Sequence, residues 1–411
     1  MAAPSSRLLP GFARGLFQIP ADVCYLNAAF LGPQLKSSTV AADAAVRRKA
    51  TPWELGKADF YSDAERAREL FASLVGARPC DIALVPSASY GAATAAANLL
   101  PHVSRTQNLV TLAREHTSNR FVWQCASVRD CGPELRVVPA PHELPAGREW
   151  TEAVLSAIDV ATAVVAVAPT FWADGARLDL TRIGRRCREV GAALVVDGTQ
   201  SIGVVPFDVR EVQPDWLVCA GYKWLLCPYG ISFLYAAPRF YESEVGPRGL
   251  EENGWDSASS GRANAMWGLP GGEDDDGRLD LRQVCRASRF DAGQRCGSWS
   301  TLPAAIAALE QLMEWTPVAV SEALERLTAK AIYMGNRRGL IAPDSRLPHM
   351  VGLRTADGDW GLGLVSRLWE RHRVHVSMRL GSLRISPHVY NTGEDLERLF
   401  TALDRETGSD E

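Results

Sequence analysis

Two short apolar runs in this chain end beside residues able to do chemistry. Ala192–Val196 leads into Asp197, and Trp216–Ala220 leads through Gly221 and Tyr222 into Lys223. Both runs are apolar at successive positions and flanked by glycine, the pattern of strands buried on both faces in a parallel sheet. The carboxyl ends of such strands border the crevice where open α/β sheets bind ligands. A lysine placed there and kept from water by aromatic neighbours such as Tyr222 and Trp224 gives up its proton more readily. Its free amine then attacks carbonyl carbon, which makes Lys223 a candidate for Schiff-base formation. Asp197, about one strand away, offers a carboxylate to a cationic N–H.

Seven runs read as strands that would position these groups: Ile82–Val85, Asn108–Leu112, Leu135–Val138, Thr162–Ala168, Ala192–Val196, Trp216–Ala220 and Ser232–Tyr235. Helical patterns alternate with them. Ala64–Leu74 repeats at helical spacing. Leu180–Gly191 places Ile183, Cys187 and Val190 on one face, with Thr181 as its expected cap and Gly191 as its stop. Such alternation predicts a doubly wound α/β sheet. Ser87–Gly91 reads as a small-residue turn before a helix over Ala92–Leu100, whose free N–H groups suit an anion. Residues 1–60 read as an N-terminal arm across the substrate entrance together with part of a small domain. Residues 61–300 read as the large domain, carrying a Gly/Ser/Asp-rich loop near the active site over 246–285, and residues 301–411 as a smaller α+β domain. In that last part RVHVSMR, LGS and LRIS predict a hairpin, and EDLERLFTAL a closing helix.

The run DGTQSIG, then AGYKW, then PYG resembles the lysine region of the class V aminotransferase superfamily, the fold-type-I pyridoxal phosphate enzymes. The resemblance extends from YLNAAFLGP at Tyr25 to LRISPHVYNTGEDLERL ending at Leu399. It is strongest toward isopenicillin N epimerase-like, hercynylcysteine sulfoxide lyase-like and kynureninase-like members. It implies a mainly parallel seven-stranded sheet, a smaller C-terminal domain, pyridoxal 5′-phosphate as cofactor, and a homodimer with shared active sites.

Residue by residue, the resemblance implies that Lys223 binds the cofactor covalently, Asp197 faces the ring nitrogen and Gln200 lies beside the ring's phenolic oxygen. Ala88 and Ser89 match the phosphate-binding pair. His116 matches a histidine placed over the ring, where an imidazole can stack and also carry a proton. Tyr222 matches a hydroxyl that reaches the phosphate in kynureninase-like members, while Cys219-Ala220-Gly221 stand where many members have a serine and a histidine. Ser300 and Thr301 match donors to the neighbouring subunit's phosphate. Arg384 matches the arginine that binds the substrate carboxylate, and Asn27 the N-terminal segment lining the substrate site. On the expected hairpin Arg384 lies opposite Leu383 and Ile385, so it need not be buried with the core. Arg379 is either a second anionic contact or a solvated edge residue. Trp172 stands where desulfurases carry an asparagine, and either walls an apolar pocket or packs in the core.

Composition narrows the remaining possibilities. With 411 residues and 46% hydrophobic content the chain can bury a large core. A net charge of -4 with interspersed signs provides no basic stripe for nucleic acid. Nine cysteines without CxxC or metal-type spacing favour reduced thiols, a cytoplasmic location and no metal. The longest apolar segment, Ala161–Trp172, is too short to span a bilayer. After Cys296 no cysteine follows, so the region before Arg384 lacks the thiol a cysteine desulfurase needs. The resemblance to epimerase-like and sulfoxide lyase-like members implies a reaction at the alpha carbon of a substituted amino acid, as a lyase of the C–S β-elimination type or an epimerase. Transamination is the alternative, and a cysteine desulfurase or a non-catalytic scaffold of the same fold are weaker ones.

Overall fold

A computed structural model describes residues 11–56, 59, 62–128, 132–140, 148–241, 287–292 and 301–408. The expected loop over 246–285 and Ser300 lie outside the described residues. The strands are β1 (Cys24–Tyr25), β2 (Ile82–Val85), β3 (Asn108–Leu112), β4 (Glu134–Val138), β5 (Thr162–Val167), β6 (Ala193–Asp197), β7 (Trp216–Ala220), β8 (Ser232–Ala236), β9 (Val351–Leu353), β10 (Val374–His375), β11 (Ser377–Arg379) and β12 (Ser382–Ile385).

Seven of them form one sheet in the order β2-β8-β7-β6-β5-β3-β4, parallel except for β8. The apolar runs account for its depth. β2, β3, β6, β7 and β8 are buried at every position, whereas β4, with Glu134 and Arg136, forms the half-exposed edge. Helices cover both faces, as a parallel sheet requires, and the fold is α/β of fold type I. β7 and β8 are antiparallel neighbours, so residues 221–231 form the tip of a hairpin. Gly221 N donates to Ile231 O at 3.0 Å and Cys227 N to Gly221 O at 3.0 Å across that tip.

Several local expectations change. The helix Leu180–Val190 is capped by Asp179, whose side chain accepts from Arg182 N, and not by Thr181; Gly191 ends it at φ 77°. An aspartate one residue before the first helical turn reaches the free N–H groups better than a threonine already inside it. The helix after β2 begins at Ala88, four residues earlier than the small-residue turn suggested, because Ser87 Oγ accepts from Tyr90 N and caps it there. The C-terminal hairpin pairs β11 with β12 through a two-residue turn at Leu380 and Gly381, both at positive φ. Its expected first strand is split: Val374–His375 leave it to pair in parallel with Cys24–Tyr25 of the N-terminal segment. That segment is tied further to the C-terminal part by Ala28 N to Ser386 O at 3.0 Å and Ser386 N to Leu26 O at 2.9 Å. Among the described residues no helix is long and apolar enough to cross a membrane.

Candidate active site

A cavity opens at the carboxyl ends of the parallel strands. Ser87–Ser89 follow β2, Glu115 and His116 follow β3, Thr170 and Trp172 follow β5, Asp197 ends β6, and Tyr222 and Lys223 follow β7. Of the residues singled out in sequence, Lys223, Asp197, Gln200, His116, Ala88, Ser89, Tyr222 and Trp172 line it together. Asn27, Arg379, Arg384 and Thr301 do not form its wall.

Lys223 is 6% exposed, and its amine makes no hydrogen bond to any described residue. Burial pulls its amine down to about 8; the Asp197 charge opposes this and the Arg384 and Arg379 charges add to it. Asp197 Oδ1 accepts from Thr199 N at 2.9 Å, and its second oxygen has no partner among the described residues. Gly32 of the YLNAAFLGP motif locks onto this region. Its N–H donates to Tyr222 O at 2.9 Å, and a Cβ at Gly32 would stand 2.1 Å from Lys223 O, so only glycine lets the two segments meet.

At the opposite wall the helix Ala88–Leu99 presents its N-terminus. Ser87 satisfies the N–H of Tyr90 and, through its carbonyl, that of Gly91, leaving the N–H groups of Ala88 and Ser89 without a partner among the described residues. Two free amides at a positive helix end suit a phosphate. Tyr222 is half-buried beside Tyr229, ring centroids 4.5 Å apart. His116 caps the next helix, Thr117–Ser127. Its Nδ1 accepts from Ser118 N at 3.4 Å, which leaves the proton of the neutral ring on Nε2. Burial, then the Lys223 charge, lowers its pKa. Its ring meets Trp172 edge-on at 5.8 Å, and Trp172 Nε1 donates to Arg114 O at 2.8 Å.

The arginines lie just behind this wall. Arg384 is 2% exposed, so the expectation that it escapes burial is corrected: β12 is covered on both faces. One guanidinium N–H donates to Trp172 O at 2.8 Å, while its Nε is buried without a partner. Neither Arg384 nor Arg379 has a carboxylate partner among the described residues, and each lowers the pKa of Lys223 and His116. Burial and Arg379 lower the pKa of Arg384 itself, yet a guanidinium keeps its proton at neutral pH. A buried cation without an anion is a place for a substrate carboxylate. Arg379 also faces the Phe30 ring at 5.9 Å, and Asn27 is held by Ser377 Oγ at 2.7 Å. Thr301 opens the helix Thr301–Trp315.

Sequence reasoning overlooked Glu115. It is 6% exposed, with one oxygen on His116 N at 2.7 Å and the other without a partner. Burial, augmented by the Asp197 charge, pushes its carboxyl up to about 8 despite the opposing hydrogen bond. The only signal in the sequence was a carboxylate beside His116.

The aminotransferase class-V family model matches residues 44–245, the segment that supplies the cavity wall. The chain belongs to the class V aminotransferase family. Isopenicillin N epimerase of Amycolatopsis lactamdurans is 26% identical over 404 residues, 95% of this chain and 97% of that protein. Isopenicillin N epimerase of Streptomyces clavuligerus is 29% identical over 364 residues, 84% of each. Among solved structures, the apo cysteine desulfurase of Thermococcus onnurineus superposes with a TM-score of 0.77 at 18% identity, covering 99% of this chain and 100% of that one. The cofactor of this class V family member is pyridoxal 5′-phosphate, and the cavity fits it: an amine, a carboxylate oxygen and two helix-end amides, none with a hydrogen-bond partner among the described residues, surround one space.

Proposed function

We propose that the protein acts at the alpha carbon of a substituted amino acid, as a lyase of the C–S β-elimination type or as an epimerase. One observation carries the reading: Lys223, with its pKa drawn to about 8, and Asp197, with an oxygen to spare, border the same cavity. The similarity to isopenicillin N epimerases over most of both chains supports it. Bound pyridoxal phosphate supplies an electron sink for the charge left when a bond to the alpha carbon breaks. Asp197 would keep the ring nitrogen protonated, Ala88 and Ser89 would hold the phosphate with Tyr222 alongside, and Gln200 would donate to the phenolic oxygen. Arg384, with Arg379, would hold the substrate carboxylate, and Asn27 would border its binding space.

Near pH 8 the Nζ of Lys223 can both take and return the alpha proton. His116 carries a second proton on Nε2. In elimination the alpha proton taken by Lys223 Nζ would pass to the leaving sulfur, which the neutral His116 ring steadies with its Nε2–H, and in epimerisation that ring would border the other face of the alpha carbon. Trp172 makes that side of the cavity apolar. A persulfide-forming reaction is the weaker reading, because no cysteine among the described residues lines the cavity and burial pushes the Cys219 and Cys227 thiols up. The same reading places the work in a homodimer, with Ser300 and Thr301 reaching the neighbouring subunit's phosphate.

Purified protein should be yellow, and borohydride should fix the cofactor on the peptide containing Lys223. Incubation with substituted amino acids should then release pyruvate and ammonia, or invert the alpha carbon without loss of substrate. Formation of a keto acid with matching loss of the yellow colour would replace this reading by transamination. A colourless protein that borohydride leaves unmodified would favour a scaffold.

A further inference from the structure

Gln200 is gripped at nearly every polar atom, by residues distant in the chain. The indole N–H of Trp224 donates to Gln200 Oε1 at 2.8 Å. An indole nitrogen can only donate, so the atom it meets must be the amide oxygen, which settles which way round the amide lies. Gln200 Nε2 then donates to Ala29 O at 3.1 Å, using one of its two N–H groups. The backbone oxygen of Gln200 faces His349 Nε2. A carbonyl only accepts, so His349 carries its proton on Nε2, and burial keeps the ring neutral by pulling its pKa down to about 3.

The gripping groups are themselves fixed. Trp224, His349 and His388 are 0% exposed. His349 stands edge-on to the indole at 4.5 Å, and His388 stacks along it at 5.7 Å. Gln200 borders the cavity, and one amide N–H is the side-chain polar hydrogen it has left to offer there, with no partner among the described residues. We propose that Trp224 and His349 are positioning residues: they hold Gln200 so that its remaining amide N–H is presented to the cofactor's phenolic oxygen. The inference rests on the pyridoxal phosphate reading and adds to it two residues that do not line the cavity.

The effect is readable in the cofactor's colour. A donor on the phenolic oxygen draws off negative charge, and so loosens the proton on the nitrogen that joins lysine to cofactor. Releasing the donor tightens that proton and moves the pH midpoint of the visible absorption change upward. Trp224→Phe keeps the aromatic packing and removes the N–H; we expect its midpoint to rise by about one pH unit, roughly tenfold in proton affinity. Gln200→Leu should move the midpoint in the same direction, and the double variant no further than the larger single change, since both act through one donor. His349→Phe should give a smaller rise.

A merely structural role lowers the melting temperature of the cofactor-free protein and leaves the midpoint where it was. That result for Trp224→Phe, with Gln200→Leu shifted, overturns the inference and leaves the cofactor reading standing. If Trp224→Phe does not fold, His349→Phe carries the test with the same two outcomes. A parent protein that is colourless and unlabelled by borohydride overturns both.

Discussion

The two ends of the central sheet carry comparable numbers of charged side chains and treat them in opposite ways. At the amino ends of the parallel strands a broad cleft is bordered by Arg78, Arg188, Arg210, Arg239, Asp81 and Asp215. There three of the four arginines are paired with a carboxylate, Arg78 with Asp81, Arg210 with Asp208 and Arg239 with Asp215, and these three side chains are 57%, 75% and 62% exposed, while Arg188 donates to Val212 O at 3.2 Å. Such solvated pairs contribute little to stability and leave nothing to act on a ligand. At the carboxyl ends Lys223, Asp197, Glu115 and the nearby Arg384 are each at least 93% buried, and each has a polar side-chain atom without a partner among the described residues. Burial there lowers the proton affinity of Lys223 and Arg384 and raises that of Glu115, each toward neutrality, which the amino end does not do for its exposed arginines. Chemistry therefore follows the burial and incompleteness of charge more than its amount.

The sharpest way to break this comparison is to remove the amine. Lys223→Ala should cost on the order of a thousandfold or more in turnover, the usual worth of a positioned acid–base group or above it, while the circular dichroism spectrum stays that of the parent. Retained turnover would end the assignment. Arg384→Gln should raise KM for an amino-acid substrate roughly tenfold to a hundredfold, the range expected when one charge-assisted hydrogen bond is lost. An unchanged KM would place the substrate carboxylate elsewhere.

Glu115→Gln sharpens the comparison through pH. The Glu115 carboxyl is raised from 4.5 to about 8 in the folded chain, so the native state holds its proton more tightly than the unfolded one. Its contribution is complete below about pH 4.5 and is lost as pH rises through 8. Denaturation midpoints should thus show the variant gaining on the parent between pH 5 and 8 by up to a few kcal/mol, then running level. A difference that does not change with pH would mean that Glu115 is already ionised in the fold. The smallest effect belongs to the other end of the sheet: Arg210→Ala should leave both the denaturation midpoint and turnover at the parent's values, because its ion pair with Asp208 is solvated. A loss of activity would show that the amino end takes part.

Much of this arrangement could be read in the chain. β5, β6 and β7 are apolar runs bounded by glycine and turn residues, so burial on both faces left one architecture for them, and Asp197 and Lys223 followed as strand-end residues. What escaped the reading depends on segments far apart in sequence. The burial of Arg384 comes from packing against the segment that carries Trp172, over two hundred residues away. The grip on Gln200 needs Ala29, Trp224 and His349, which no local pattern links. The cap at Asp179 was missed for the opposite reason, since Asp179 and Thr181 lie only two residues apart and geometry alone chose between them.

The antiparallel return of β8 beside β7 has a practical corollary. Most βα connections at this rim lead off into a helix, but the span from Gly221 to Ile231 goes out and back between two ladder-bonded neighbours and is pinned across its own base. An extra residue spliced in there has nowhere to be absorbed, whereas the turn at Asp357–Gly358 is exposed and its hydrogen bonds stay within residues 355–359, so it has slack. A tag or a circular-permutation break therefore belongs at the second place and not at the first.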